Sequence, residues 1–346
     1  MRTGILRHDA FLNHSAAGYH PEQPQRLSAI YRELDDRNLM RQCVSVSTRE
    51  ATREEILRVH TPPYLEKLEK LLPGSRGHLD LDTFFSPGTW KASLLAAGGT
   101  IKLVSALVDG DLDNGAAFVR PPGHHATPER SMGFCILNNI ALAAQAALHR
   151  GVERVAIIDW DLHHGNGTQD AFYDNDKVLY LSTHMFPFFP GTGHYTEIGE
   201  GKGTGFNVNL PMPPRSGMAE FSAAFRRILL PILRQFHPQL LLVSCGFDAH
   251  VSDPIGALKL ETEDFRRLNG WVMEAAEELC DRRLALVLEG GYDLRSLGDV
   301  SACLVEDLLQ GGPHALSPEK AKTEPSPMVV RMIEDLSRLL SGSWKL

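Results

Sequence analysis

Residues 156–167 read Ala-Ile-Ile-Asp-Trp-Asp-Leu-His-His-Gly-Asn-Gly, and the reading of this stretch decides the fold. An apolar run stops abruptly at Asp159, Asp161, His163 and His164. Alternate residues of a strand share a face, so Asp159, Asp161 and His163 project to one side if strand geometry continues. Two carboxylates and an imidazole at the mouth of a strand suit a divalent cation such as zinc. A solvated strand end explains any one of these residues taken alone. Four of them within six positions favour the metal.

Working outward, apolar β-rich runs recur at 116–119, 155–158, 178–182, 240–244 and 284–288. Helical periodicity covers 25–39, 62–72, 89–108, 138–150, 218–236, 262–280 and 328–340. Strands this apolar are buried on both faces, as in a parallel sheet covered by helices. The expected fold class is α/β: a single domain, 1–346, with an open, mainly parallel sheet sandwiched by α-helices. Pro62 or Pro63 marks a helix start, and Pro231 should kink or interrupt its helix. The segment 313–327 reads as a surface connection, 328–346 as a C-terminal helix, and the Gly/Pro-rich stretch 186–214 as a long functional loop.

The apolar fraction, 43%, is ample for a buried core and argues against disorder. Net charge is −8 with both signs dispersed, which gives no electrostatic footprint for nucleic acid. Five cysteines form no CxxC pair, and Cys135, Cys245 and Cys280, in apolar surroundings, read as reduced, buried thiols, so a cytoplasmic location is expected. The first residues, MRTGILRHDAF, show no leader-type apolar region, and no segment of spanning length stands out, so no membrane partner is expected. A homo-oligomer stays open.

Four runs enter polar, glycine-marked turns: Arg120-Pro-Pro-Gly-His-His125, the 159–164 cluster, Cys245-Gly-Phe-Asp248 and Glu289-Gly-Gly-Tyr292. Ligands of parallel α/β sheets bind outside the carboxyl ends of strands, which is where all four would meet. Asp161, His163 and Asp248 can supply the three protein ligands of an open catalytic zinc. His124 and His125 are then free for proton transfer, with Asp159 and Asn166 as candidate partners for their far nitrogens. Tyr292 can donate to a developing oxyanion. Together these groups point to metal-assisted hydrolysis of an amide.

The motifs PPGHHA (121–126), DWDLHHGNGTQDAF (159–172), FPGTG (189–193), GFDAHVSDP (246–254) and LEGGYD (288–293) resemble the zinc-dependent histone deacetylase and acetylpolyamine amidohydrolase family, of arginase/deacetylase fold. The resemblance covers about 4–310. The start HPEQPQRL (20–27), the Gly-His-His form and Asn166 look class II-like, close to bacterial histone-deacetylase-like amidohydrolases. It implies zinc on Asp161, His163 and Asp248 (Fe²⁺ or Co²⁺ being alternatives), His125 as general base, His124 as electrostatic partner and Tyr292 as oxyanion donor. It further implies a structural potassium ion on the Asp159 carboxylate, the carbonyls of Asp161, His163 and Thr183, and Ser182. Phe134 and Phe189 would wall a tunnel with Gly133 on its floor and Gly291 beside Tyr292. Asp82 would tether substrate at the rim, and Arg26 would line an acetate channel. The implied substrate is an acyl-lysine protein or peptide, or an acetylated polyamine. One polyamine-selective relative carries a gatekeeper glutamate where this chain has Ile255. A catalytically weak acyl-lysine binding module is the rival from another class.

Overall fold

The computed structural model describes residues 1–314, 316 and 324–346. Ten strands are seen among them: β1 Thr3–Leu6, β2 Val44–Ser45, β3 Gly77–His78, β4 Phe84–Phe85, β5 Asn114–Ala117, β6 Val155–Asp159, β7 Val178–Met185, β8 Asn207–Met212, β9 Leu240–Cys245 and β10 Leu284–Leu288. Eight pair in the order β2-β1-β5-β10-β9-β6-β7-β8, every neighbouring pair parallel, and β3-β4 form a separate antiparallel pair. Parallel neighbours need crossovers, and the helices supply them: α1 Gln25–Asp36, α2 Arg53–Ile56, α3 Pro62–Leu71, α4 Thr89–Val108, α5 Asn139–His149, α6 Asn166–Phe172, α7 Met218–Ala224, α8 Leu230–Phe236, α9 Thr262–Cys280, α10 Leu294–Gln310 and α11 Pro327–Leu339. All five residues of β6 and all five of β10 are buried, as strands covered on both faces require. The expected architecture is the one found.

Several expectations need correction. The strand expected at 116–119 begins two residues earlier, at Asn114. The stretch 186–214 is not all loop, because β8 occupies Asn207–Met212 as an edge strand, where Pro211 is tolerated. Helix α10 was not foreseen, although Asp293 caps it by accepting from Ser296 N at 2.8 Å and Gly311 ends it in a left-handed conformation. The helix expected over 218–236 is interrupted as anticipated: a wide turn, Phe225–Leu229, separates α7 from α8, and Pro231 lies in the first turn of α8. The C-terminal helix stops at Leu339 and does not run to 346; Trp344 folds back, donating from Nε1 to Gly205 O at 2.7 Å. The connection expected at 313–327 falls mostly outside the described residues. Finally, α4 is long and apolar enough by length and composition to cross a membrane, contrary to the expectation of no such segment; 67% of that window is buried inside the protein.

The topology has one consequence for chemistry. Strands β5, β10, β9 and β6 are consecutive neighbours in the sheet, and they are the four that end in the motif-bearing turns. Register sets Asp159 of β6 opposite Ser244 of β9, and Leu288 of β10 opposite Cys245. The turns therefore leave the sheet side by side.

Candidate active site

Asp161, His163 and Asp248 each offer one ligand atom, and these atoms lie within 4.8 Å of one another, all buried. His163 Nδ1 faces both carboxylates, 3.2 Å from Asp161 Oδ1 and 3.0 Å from Asp248 Oδ2. The remaining carboxylate lone pairs accept from backbone: Asp161 Oδ2 from Gly290 N at 2.8 Å, Asp248 Oδ1 from Leu162 N at 2.8 Å. Two turns must approach closely to do this. A Cβ at Gly246 would stand 1.9 Å from Asp161 Oδ2, and one at Gly290 would stand 2.2 Å from Asp248 Oδ2. Burial and the nearby Asp161 push the Asp248 carboxyl up to about 7, while burial of Asp161 is outweighed by His124 and His163, which hold it well below the usual range. Two oxygen donors and one imidazole, converging from two turns, fit a divalent ion with an open face.

Beside this cluster the two adjacent histidines have unlike partners. His124 Nδ1 lies 3.1 Å from Asp159 Oδ2, which also accepts from Tyr180 Oη at 3.0 Å. His125 Nδ1 lies 2.9 Å from Asn166 Oδ1. Burial opposes a charge on His124, but Asp161, Asp159 and Glu289 overcome it and raise its pKa to about 10. Burial, with His124 and His163 adding to it, holds His125 well below the ordinary histidine value. Neighbouring imidazoles are thus set to opposite protonation states, the arrangement by which one fold separates acid and base roles. Both expected partners, Asp159 and Asn166, are where the sequence placed them.

Tyr292 is buried, its ring under the Arg26 guanidinium at 4.9 Å and edge-on to Phe134 at 6.0 Å. Burial pushes its hydroxyl up, and Asp248 and Asp161 add to that, so the phenol remains a donor. Arg26 is committed on every nitrogen: Nε to Gly291 O at 2.6 Å, Nη2 to Glu289 O at 2.5 Å and Nη1 to Glu22 Oε1 at 3.2 Å. It braces the Tyr292 turn from behind. The Gly291 carbonyl is turned to Arg26, and the residue has φ +112°, where a side chain would be strained.

Phe189 meets the ring of His125 edge-on at 5.1 Å and that of His163 at 6.1 Å. Gly133 has to be glycine on two counts: φ is +55°, and a Cβ would stand 2.4 Å from His125 Cδ2. Phe134, next to it, also has positive φ, held by its amide donating to Thr83 Oγ1 at 3.1 Å. Asp82 Oδ1 accepts from Gly133 N at 3.1 Å and from Thr83 Oγ1 at 3.0 Å, so that oxygen holds the wall loop. Ile255 is half-buried, its amide tied to Asp253 Oδ1 at 3.0 Å. For the expected monovalent site, the carbonyls of Asp161 and His163 accept no hydrogen bond among the described residues, which leaves them available, whereas Ser182 Oγ sits 2.9 Å from His184 Nδ1.

Sequence reasoning missed several supporting groups. Glu289, taken only as the start of a turn, is fully buried and accepts from Gly123 N at 2.7 Å and His124 N at 3.1 Å, fixing the histidine turn to β10. Asp253 accepts from Tyr292 N at 2.7 Å and Asp293 N at 3.3 Å, pinning the tyrosine turn. Phe188 stacks on His163 at 5.5 Å. The signal for Asp253 was its place in the Asp-Pro turn after Asp248; nothing local marked Glu289 as an amide acceptor.

Comparison with known proteins agrees with this architecture. A sequence profile described as "Histone deacetylase domain" matches residues 20–308. A protein of Archaeoglobus fulgidus named "Probable deacetylase" is 38% identical over 100% of this chain and 99% of its own length. The human protein named "Polyamine deacetylase HDAC10" is 37% identical over 94% of this chain, which spans about half, 49%, of that relative. A crystal structure titled "Crystal Structure of HDA15 HD domain" superposes with a TM-score of 0.89 at 34% identity, over 99% of this chain and 95% of that one.

Proposed function

Since the chain belongs to the histone deacetylase family and is a hydrolase of amide bonds, we propose that it removes acyl groups, most simply acetyl, from ε-N-acyl-lysine side chains. The observation that carries this reading is the histidine pair with unlike partners beside a buried Asp/His/Asp cluster and a buried phenol. A zinc ion on Asp161, His163 and Asp248 would supply a Lewis acid for the amide carbonyl and acidify a water molecule. His125, neutral and bonded to Asn166 through Nδ1, offers Nε2 to take a proton from the attacking water and to return it to the leaving amine. His124, charged against Asp159, stabilises the negative charge that develops nearby. Tyr292 donates its hydroxyl to the carbonyl oxygen as that oxygen becomes an oxyanion. Phe134, Phe189 and Gly133 would hold the apolar lysine stem and keep bulk water out. A potassium ion on Asp159 and the free carbonyls of Asp161 and His163 would neutralise part of the local carboxylate charge.

Acetylpolyamine hydrolysis with the same groups is the second reading, favoured by the relative named a polyamine deacetylase. Ile255 weighs against it, since a cationic amine would find no carboxylate at that position. Parallel assays of an acetyl-lysine peptide and N-acetylputrescine on zinc-loaded protein separate the two. The proposal expects the peptide to have the higher kcat/KM; the reverse order would favour the polyamine. Binding of the peptide without hydrolysis of any acyl amide would instead make the protein a non-catalytic reader.

A further inference from the structure

The role of His125 depends on which way the Asn166 amide is turned. A carboxamide rotated by half a turn keeps its shape and exchanges acceptor for donor. With oxygen toward His125, Nδ1 must carry the hydrogen and Nε2 keeps its lone pair. With the amino group toward His125, Nδ1 becomes the acceptor and the hydrogen moves to Nε2, where no base remains. The residue that meets the far end of the amide therefore decides the chemistry.

That residue is Met132. Its Sδ lies 3.3 Å from Asn166 Nδ2, while Asn166 Oδ1 lies 2.9 Å from His125 Nδ1. A thioether has no hydrogen to give and only accepts. The reversed amide would set its oxygen against sulfur, two lone-pair atoms, and leave the buried amino group facing the ring nitrogen. The Met132 backbone is held in place, its carbonyl accepting from Cys135 N at 3.0 Å across the wall turn that also carries Gly133 and Phe134. Asn166 is equally constrained, 4% exposed at the start of α6 with its backbone N–H donating to His164 O at 2.8 Å. Resting on the reading of His125 as the base, we propose that Met132 is a positioning residue for deacetylation: its sulfur fixes the Asn166 amide, and through it the Nδ1–H tautomer of His125.

The test is a double-mutant cycle on zinc-loaded protein with Met132→Leu, Asn166→Asp and the pair. Leucine keeps the bulk and removes the acceptor. Aspartate presents an oxygen on either side, so nothing is left to orient. Met132→Leu is expected to lower kcat roughly fivefold, the scale of one neutral hydrogen bond, with KM little changed. The same substitution on Asn166→Asp is expected to leave kcat alone. Equal losses in both backgrounds, or no loss in the first, overturn the proposal. A second readout needs neither turnover nor a variant: ¹⁵N spectra of histidine-labelled wild-type protein should show His125 protonated at Nδ1 and bare at Nε2. The opposite tautomer overturns the proposal even if the substrate reading stands, and the expected tautomer in a protein that hydrolyses no amide would sink the substrate reading alone.

Discussion

Two clusters of buried ionisable groups lie near Tyr292, and they differ in one respect. In the first, Glu22, Arg26, Arg120 and His14 are all at most 1% exposed, and every nitrogen of the two guanidiniums is hydrogen-bonded within the protein. Glu22 pairs with Arg120, Arg26 and His14, and the other guanidinium hydrogens go to the carbonyls of Phe11, His14, Glu289 and Gly291. In the second, Asp159, Asp161, Asp248 and Glu289 stand as four carboxylates against the imidazoles of His124 and His163. The first cluster has its guanidiniums fully hydrogen-bonded around Glu22 and reads as architecture. The second has an excess of carboxylate and converging donor atoms, which a bound cation would balance. Burial alone does not mark a functional site; burial with uncompensated like charge does.

The largest effect is expected from Asp161→Asn, which should remove bound zinc and lower acetyl-lysine turnover on the order of a thousandfold or more, as losing both the Lewis acid and its acidified water would. Metal analysis alongside kinetics checks it. Near-normal zinc with near-normal turnover would erase the distinction between the clusters. Glu22→Gln should act on stability, leaving Arg120 and Arg26 buried without their counter-charge at a cost of about 3–5 kcal/mol in denaturant unfolding. A shift below about 1 kcal/mol would show that the first cluster is not a structural unit.

A third case is a buried histidine with no carboxylate beside it. His60 Nδ1 faces Thr127 O at 3.0 Å and its Nε2 accepts from Asn138 N at 3.0 Å. Burial lowers its pKa to about 4 from the ordinary 6.5. The unfolded chain therefore takes up this proton first, so the stabilisation is fully present above pH 6.5 and drains away as pH falls toward 4, by up to about 3 kcal/mol. His60→Gln should flatten that part of the stability–pH curve; an unchanged curve would contradict the assignment. Tyr292→Phe is next, expected to reduce kcat about a hundredfold, or nearly 3 kcal/mol, with stability little altered. The smallest effect belongs to the rim: Ile255→Glu should move the ratio of acetylputrescine to acetyl-peptide kcat/KM about tenfold toward the polyamine, and no shift would remove residue 255 from substrate choice.

How much of this was legible in the sequence depends on whether a residue's role is local. Buried parallel strands announce themselves by unbroken apolar runs, and each run leads into a polar turn, so β6, β9 and β10 and the turns that hold Asp161, His163, Asp248 and Tyr292 could be read directly. Two strands gave no such run: β1 is four residues long, and the edge strand β8 carries Pro211 and two asparagines. Helix α10 was legible and overlooked, since its cap, apolar spacing and terminal glycine are all present. Glu289 and Glu22 were invisible for a physical reason. Each is a carboxylate that binds backbone amides or guanidiniums far away in the chain, and no spacing rule reports a partner 98 or 166 positions distant. The tie from Asp82 to Gly133 N was hidden for the same reason, since the two lie 51 positions apart.

The central claim is that Asp161, His163 and Asp248 share one cation from which the rest of the chemistry is organised. Anomalous diffraction at the zinc edge, on crystals of zinc-loaded protein, tests it directly. The account predicts a single strong peak about 2.0–2.2 Å from one carboxylate oxygen of Asp161, from His163 Nδ1 and from one carboxylate oxygen of Asp248. A peak elsewhere, or ligand atoms too far apart to reach it together, would contradict it.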